Sequence, residues 1–131
     1  MASNITIQRL NEQRAAIVRE LLDLFPLIPG AFKEVFRKCG KPNCWCAQNT
    51  RGHSLRRITW TEGGHAQSKA VAENDIDWYI IATDNYRRFQ QLKKLLRETE
   101  ASLHESLDEY SKSQVKISRN DRDELKRIAK T

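Results

Sequence analysis

Apolar residues fall into two helical stretches separated by a polar, turn-rich middle. In the first stretch, residues 4–25, Ile7, Leu10, Ile17, Leu21 and Leu24 recur at three- and four-residue spacing, with Arg14 in the one polar slot. This predicts an amphipathic helix with Ser3 or Asn4 as N-cap, stopped by Pro26, Pro29 and Gly30. A lone helix of about 20 residues is marginal in water, so this one calls for a partner. The second stretch begins at Asn74, where Asn74 as N-cap and Asp77 three residues later form a capping arrangement. From there to Ser111 there is no Gly or Pro, and Ala82, Phe89, Leu96, Leu103 and Tyr110 recur every seven residues. Tyr79, Tyr86 and Leu107 fill the companion position three residues earlier, which Lys93 and Glu100 interrupt, and Leu92 and Leu95 widen the stripe. The spacing predicts the seam of a coiled coil or helical hairpin about 55 Å long, against about 30 Å for the first helix. The surplus points to self-association, as a homodimer, or to a partner protein docked on the long helix.

The middle, residues 31–72, lacks helical periodicity and is rich in Gly40, Pro42, Asn43, Gly52, Gly63 and Gly64. Two strands are expected, at about 55–61, where Ile58 and Trp60 share a face, and at about 66–71, joined by a hairpin loop at Glu62-Gly63-Gly64. Residues 32–38 form a third strand or a short helical turn. Beyond residue 111, Ile117, Leu125 and Ile128 either line a short helix starting at Asn120 or Asp121 or belong to a flexible basic arm. The predicted fold is mainly α with a small β-hairpin zinc-knot module. It divides into an N-terminal helix (1–30), the knot module (31–72), a long helix (73–111) and a basic tail (112–131).

A chain of 131 residues has room for one compact domain plus elaboration. Its apolar content of 39% suits elongated helices with a thin seam, braced by a metal, better than a thick core. The net charge is +6, with a pI of about 9.4, and an anionic partner is the first expectation. The charge is uneven: residues 33–69 carry eight basic and two acidic residues, 71–111 five basic and nine acidic, and 112–131 seven basic and three acidic. No secretory signal or bilayer-spanning run is seen, which gives a cytoplasmic expectation with no membrane partner.

Three cysteines, all within eight residues, are an odd number for a disulfide framework. The run Cys39-Gly-Lys-Pro-Asn-Cys44-Trp-Cys46, followed by His53, is the one constellation that carries chemistry. Zinc takes four soft or borderline ligands in a tetrahedron, and Gly40 and Pro42 turn the chain tightly enough to aim thiolates at one ion. The fourth ligand is His53 or, in reserve, His65. Nearby Lys and Arg residues favour the thiolate that metal binding requires. Incidental thiols, an iron–sulfur cluster and a redox thiol pair are the competing readings. A phosphate loop, a nucleophile elbow, a zincin helix and a deaminase signature are all missing, so no enzyme is expected.

The run from Arg37 to Ala47, then Gly52-His53, Trp60 with Glu62-Gly63-Gly64, and a helix bearing Asn85-Tyr86-Arg87-Arg88-Phe89 and Leu92 to Leu95 resemble a known family. It is a family of small uncharacterised prokaryotic proteins, a domain of unknown function with a CGKPxCxC signature, whose genes often lie near transposases and other mobile elements. The resemblance covers about residues 33–110. The family often reads His-Gly-Pro-Tyr where this chain has His53-Ser54-Leu55-Arg56. The resemblance implies a setting in transposition or another mobile-element process and supplies no activity.

These readings converge on a zinc-stabilised nucleic-acid-binding accessory protein, a subunit of a mobile-element or defence complex. DNA or RNA would be met by Arg37, Lys38, Lys41, Arg51, Arg56 and Arg57 at phosphates, with Trp45 stacking on bases. The rival is a protein-interaction adaptor or oligomerisation module without nucleic-acid contact.

Overall fold

A computed structural model describes residues 4–130. Helix α1 (Asn4–Asp23) is followed by strand β1 (Ala31–Arg37), a 3-10 turn (Trp45–Gln48), strands β2 (His53–Glu62) and β3 (His65–Ala70), a second 3-10 turn (Glu73–Asp75), and helix α2 (Ile76–Lys130). The chain divides into two compact units, Leu24–Gln90 and the pair of segments that run up to Asp23 and on from Gln91. None of the described helices is long and apolar enough to cross a membrane.

In the helical unit, Ile17 and Leu21 of α1 and Leu92 and Thr99 of α2 are buried. Arg14, the polar slot of the α1 stripe, is half-buried and donates through Nε and a terminal nitrogen to Asn11 Oδ1 at 3.1 and 3.0 Å. That bond meets its charge with a polar partner one turn earlier. Along α2 from Gln91 the buried or half-buried positions are 92, 96, 99, 100, 103, 106, 110 and 113; Glu100 apart, they alternate four- and three-residue steps. The seven-residue series through Leu96, Leu103 and Tyr110 is the expected one. Its companion holds at Tyr79 and Tyr86, which are half-buried, and differs beyond them: Leu92, Thr99, Ser106 and Ser113 fill it, and Leu107 stands 40% exposed. Three of those four side chains carry hydroxyls, and a hydrophobic pattern passes over them.

The 73–111 helix and separate 112–131 tail of the sequence reading become one helix, since α2 runs unbroken through Lys130. With neither Gly nor Pro after Gly64, nothing in the chain interrupts its backbone hydrogen bonds. Every residue from 114 to 130 is exposed. At the other end the helix is entered through the 3-10 turn, so Asn74 lies inside that turn instead of capping α2. Asp77 still sits in the first turn, where a carboxylate favours the helix dipole.

In the sheet unit the three strands lie in the order β1-β2-β3, all antiparallel. Residues 31–37 are therefore the third strand, one of the two forms expected for that segment. β1 registers Phe32 on Ile58 and Arg37 on His53, and β3 registers Glu62 on His65. The two-residue loop Gly63-Gly64 has φ of 57° and 79°, the backbone that a hairpin of this length needs. The buried residues of this unit are few: Cys46, Ile58, Ala82 and Thr83, beside Gly52. The Thr83 hydroxyl donates back to the Tyr79 carbonyl at 2.8 Å, so its burial leaves no unmet group. The segment from Leu24 to Gly30, which includes a cis Phe25–Pro26 bond, is tied to α2 twice. Ile28 N–H donates to the Ala82 carbonyl at 3.2 Å, and Asn85 Nδ2 donates to the Pro26 carbonyl at 3.1 Å.

Candidate metal centre

Cys39, Cys44, Cys46 and His53 converge at the end of β1 where β2 begins, with all four ligand atoms within 4.8 Å of one another. Strand pairing supplies half of the arrangement. Arg37 pairs with His53, which brings Cys39, two residues beyond Arg37, close to the start of β2. The loop supplies the rest: Cys44 N–H donates to the Lys41 carbonyl at 3.2 Å, and the 3-10 turn that follows carries Cys46 inward until it has no exposed surface.

Gly52 is the pivot. It is buried at φ +89°, and a Cβ there would stand 2.6 Å from the Arg37 carbonyl carbon. Only glycine permits β2 to start this close to the end of β1. Asn49 shapes the approach by accepting from the Arg51 N–H at 2.8 Å. Neither residue emerges as part of the site from the sequence, where Gly52 reads as one loop glycine among several.

Within the cluster, Cys39 Sγ lies 3.4 Å from Cys46 Sγ, and Cys44 Sγ lies 3.2 Å from His53 Nε2. Four tetrahedral sulfur and nitrogen ligands of one ion stand about 3.5–3.8 Å apart at ordinary zinc bond lengths. The separations here bracket that range. The thiols are free, and no described carboxylate joins the group. Cys39 N–H points at Cys46 Sγ from 3.4 Å, the kind of backbone contact that stabilises a thiolate. The Lys41 backbone N–H, followed by the Cys46 thiol and the His53 ring, holds the Cys39 thiol down at about 6. At Cys46 the Cys39 N–H favours the thiolate, but burial and the adjacent Cys39 and Cys44 thiols outweigh it and push the thiol up. One sulfur is thus primed as a thiolate and another is held back by burial and by its neighbouring thiols, a conflict that a cation at the centre relieves. The four side chains can hold a metal ion.

His65 lies outside this group. It opens β3, opposite Glu62 at the hairpin.

The residues expected to contact nucleic acid are only partly brought together. Arg37 and Lys38 line one open depression with Cys39 and His53. Lys41 sits in the Cys39–Cys44 loop, and the Arg51 guanidinium lies 4.9 Å from the Phe36 ring centroid, a cation–π contact. Trp45 is 59% exposed and meets the His53 ring edge-on at 4.8 Å. Arg56 and Arg57 are neighbours in β2, so the pleat sends them to opposite faces of the sheet. Arg56 pairs in register with Glu34 and Arg57 with Lys33, and Arg57 Nε donates to the Ser68 hydroxyl at 2.7 Å. The two arginines do not form a single patch.

A domain of unknown function, DUF6788, matches residues 7–79, more than half of the chain. The chain belongs to this family. The DUF6788 match takes in α1, which the motif resemblance left out, together with the whole sheet and all four cluster residues. It ends in the first turn of α2, so almost all of the long helix lies beyond it. No curated protein and no solved structure gives a significant match to the chain.

Proposed function

We propose that the chain is a zinc-stabilised nucleic-acid-binding accessory protein, with Cys39, Cys44, Cys46 and His53 as the four zinc ligands. Three thiolates and an imidazole suit zinc and fill its tetrahedron. No position is left for a reacting water, so the site is structural and not catalytic. One observation carries the nucleic-acid reading. The exposed Trp45 indole stands edge-on to His53, within a stretch from Val35 to Thr61 that has six basic residues and no carboxylate. Exposed indole among lysines and arginines is the chemistry that stacks on unpaired bases and tracks their phosphates. Arg37, Lys38, Lys41 and Arg51 surround the metal loop as phosphate contacts, and Arg56 and Arg57 contribute from the two faces of β2. The mobile-element setting implied by the motif resemblance agrees with a cytoplasmic accessory subunit of this kind.

The 17 exposed residues at the end of α2, with Val115, Ile117, Leu125 and Ile128 among them, favour a protein contact as well. On the rival reading that contact is the whole function. Fluorescence anisotropy on labelled single-stranded DNA and RNA separates the two. Trp45→Ala is expected to weaken binding by about 1–3 kcal/mol, the usual worth of one stacked base. Arg51→Ala is expected to lower the salt slope by about 1. A metal-loaded wild type that binds neither strand at low salt leaves the adaptor reading standing and removes this one.

A further inference from the structure

The distal half of α2 carries opposite charge at its two ends. Residues 98–109 hold five carboxylates and no lysine or arginine, whereas 112–130 hold seven basic residues against three acidic. Across the junction of the two blocks Leu107, Ser111, Val115, Ser118 and Arg122 line a shallow open apolar groove. Positions 100, 104, 107, 111, 115, 118, 122 and 126 advance in steps of three and four and so share one face. That face is roughly a third of a turn from the covered stripe that ends at Ser113, so a second helix can lie in the groove beside that stripe.

We propose that this face of α2 pairs antiparallel with the same face of a second copy of the chain, the two helices crossing at Ser111. Charge picks both the partner and its direction. On the groove face Glu100 precedes the crossing and Arg122 and Lys126 follow it, with Asp108 and Arg119 flanking the face on the same two sides. A parallel pair sets acid against acid and base against base. An antiparallel pair centred at Ser111 sets Glu100 of each copy opposite Arg122 of the other and Leu107 opposite Val115, two side chains left 40% and 45% exposed in the single chain. The two Ser111 side chains meet at the centre, where small residues let the backbones approach. Such pairing also accounts for the 17 residues beyond Ser113, which have no cover of their own and would be marginal as a lone helix. It sharpens the protein-contact part of the proposed function and does not depend on metal or nucleic-acid binding.

Sedimentation equilibrium of the metal-loaded full chain, free of nucleic acid, tests the pairing. Wild type is expected at twice the 15.3 kDa chain mass. Leu107→Glu with Val115→Glu is expected to weaken the dimer by at least about tenfold. Arg122→Glu alone and Glu100→Arg alone should each weaken it, and the two together should restore it. Arg122 is exposed and Glu100 half-buried, neither in the core, so the swap keeps the test valid even if the apolar variant folds poorly. A wild type at chain mass, whose groove then belongs to another partner, overturns the proposal. So does a dimer indifferent to the apolar pair, and so does a dimer whose double charge swap brings no rescue, the result expected of parallel helices.

Discussion

The sheet unit and the distal stretch of α2 hold their shape by different means. The sheet unit buries Ile58, Ala82 and Thr83, and at its far end the only fully covered side chain is a cysteine, Cys46. Its third strand has six exposed residues out of six. Such a small core is too little to fix a three-stranded sheet and a loop of fifteen residues between β1 and β2 without a staple. In α2 from 114 to 130 there is no core at all, yet the backbone bonds are all local and each residue can satisfy its own turn. One region gathers four potential metal ligands at a point. The other takes its order from propensity spread along a line, completed by whatever covers its apolar positions.

Removing the metal breaks this comparison most sharply. Chelation is expected to collapse amide dispersion over residues 31–72 while most of the helical circular-dichroism signal survives. Structural zinc is worth about 10–16 kcal/mol in small zinc modules, as large as the whole stability of an ordinary domain. A sheet whose spectrum survives chelation intact would show that the staple is unnecessary. Gly52→Ala is the next largest effect. Its new methyl meets the Arg37 backbone at a φ that L side chains avoid, and about 2–4 kcal/mol of lost stability in the metal-loaded protein is expected from thermal or denaturant unfolding. The same change at Gly63, where a Cβ meets nothing within 4 Å, serves as a control and costs less, since only the positive φ remains unfavourable. The smallest effect expected is that of Asn85→Ala, which removes the bond to the Pro26 carbonyl. Urea unfolding should register about 1 kcal/mol, and unchanged stability would mean that water replaces the amide without loss.

How much of this could be read from the sequence follows from the same contrast. The α1 stripe and the seven-residue series in α2 are periodic, and periodicity survives in a bare sequence. The hairpin at Gly63-Gly64 was legible because its two glycines leave few other structures open. The companion series of α2 was not, because Thr99, Ser106 and Ser113 are polar letters that pack as small side chains. The end of the long helix was misplaced for a related reason. Apolar spacing thins after Tyr110, but a helix needs only the absence of breakers to continue, and none follows. In the metal centre the three cysteines and His53 were visible as a cluster of ligand types. The choice of His53 over His65 became geometry only through the pairing of Arg37 with His53. Gly52 was not visible as a site residue, since its role lies in a distance to a strand 15 residues earlier. Arg56 and Arg57 look like one basic pair in sequence, and the pleat of β2 separates them.

The central claim is that the four side chains at the end of β1 hold one zinc ion and that this ion holds the sheet unit together. Native mass spectrometry of protein purified without added metal tests it most directly, with wild type beside Cys44→Ser. One zinc on each wild-type chain, lost in the variant along with the dispersed sheet signals, is the predicted result. A well-folded wild type that carries no metal, or a Cys44→Ser chain that keeps both its fold and its zinc, would contradict it.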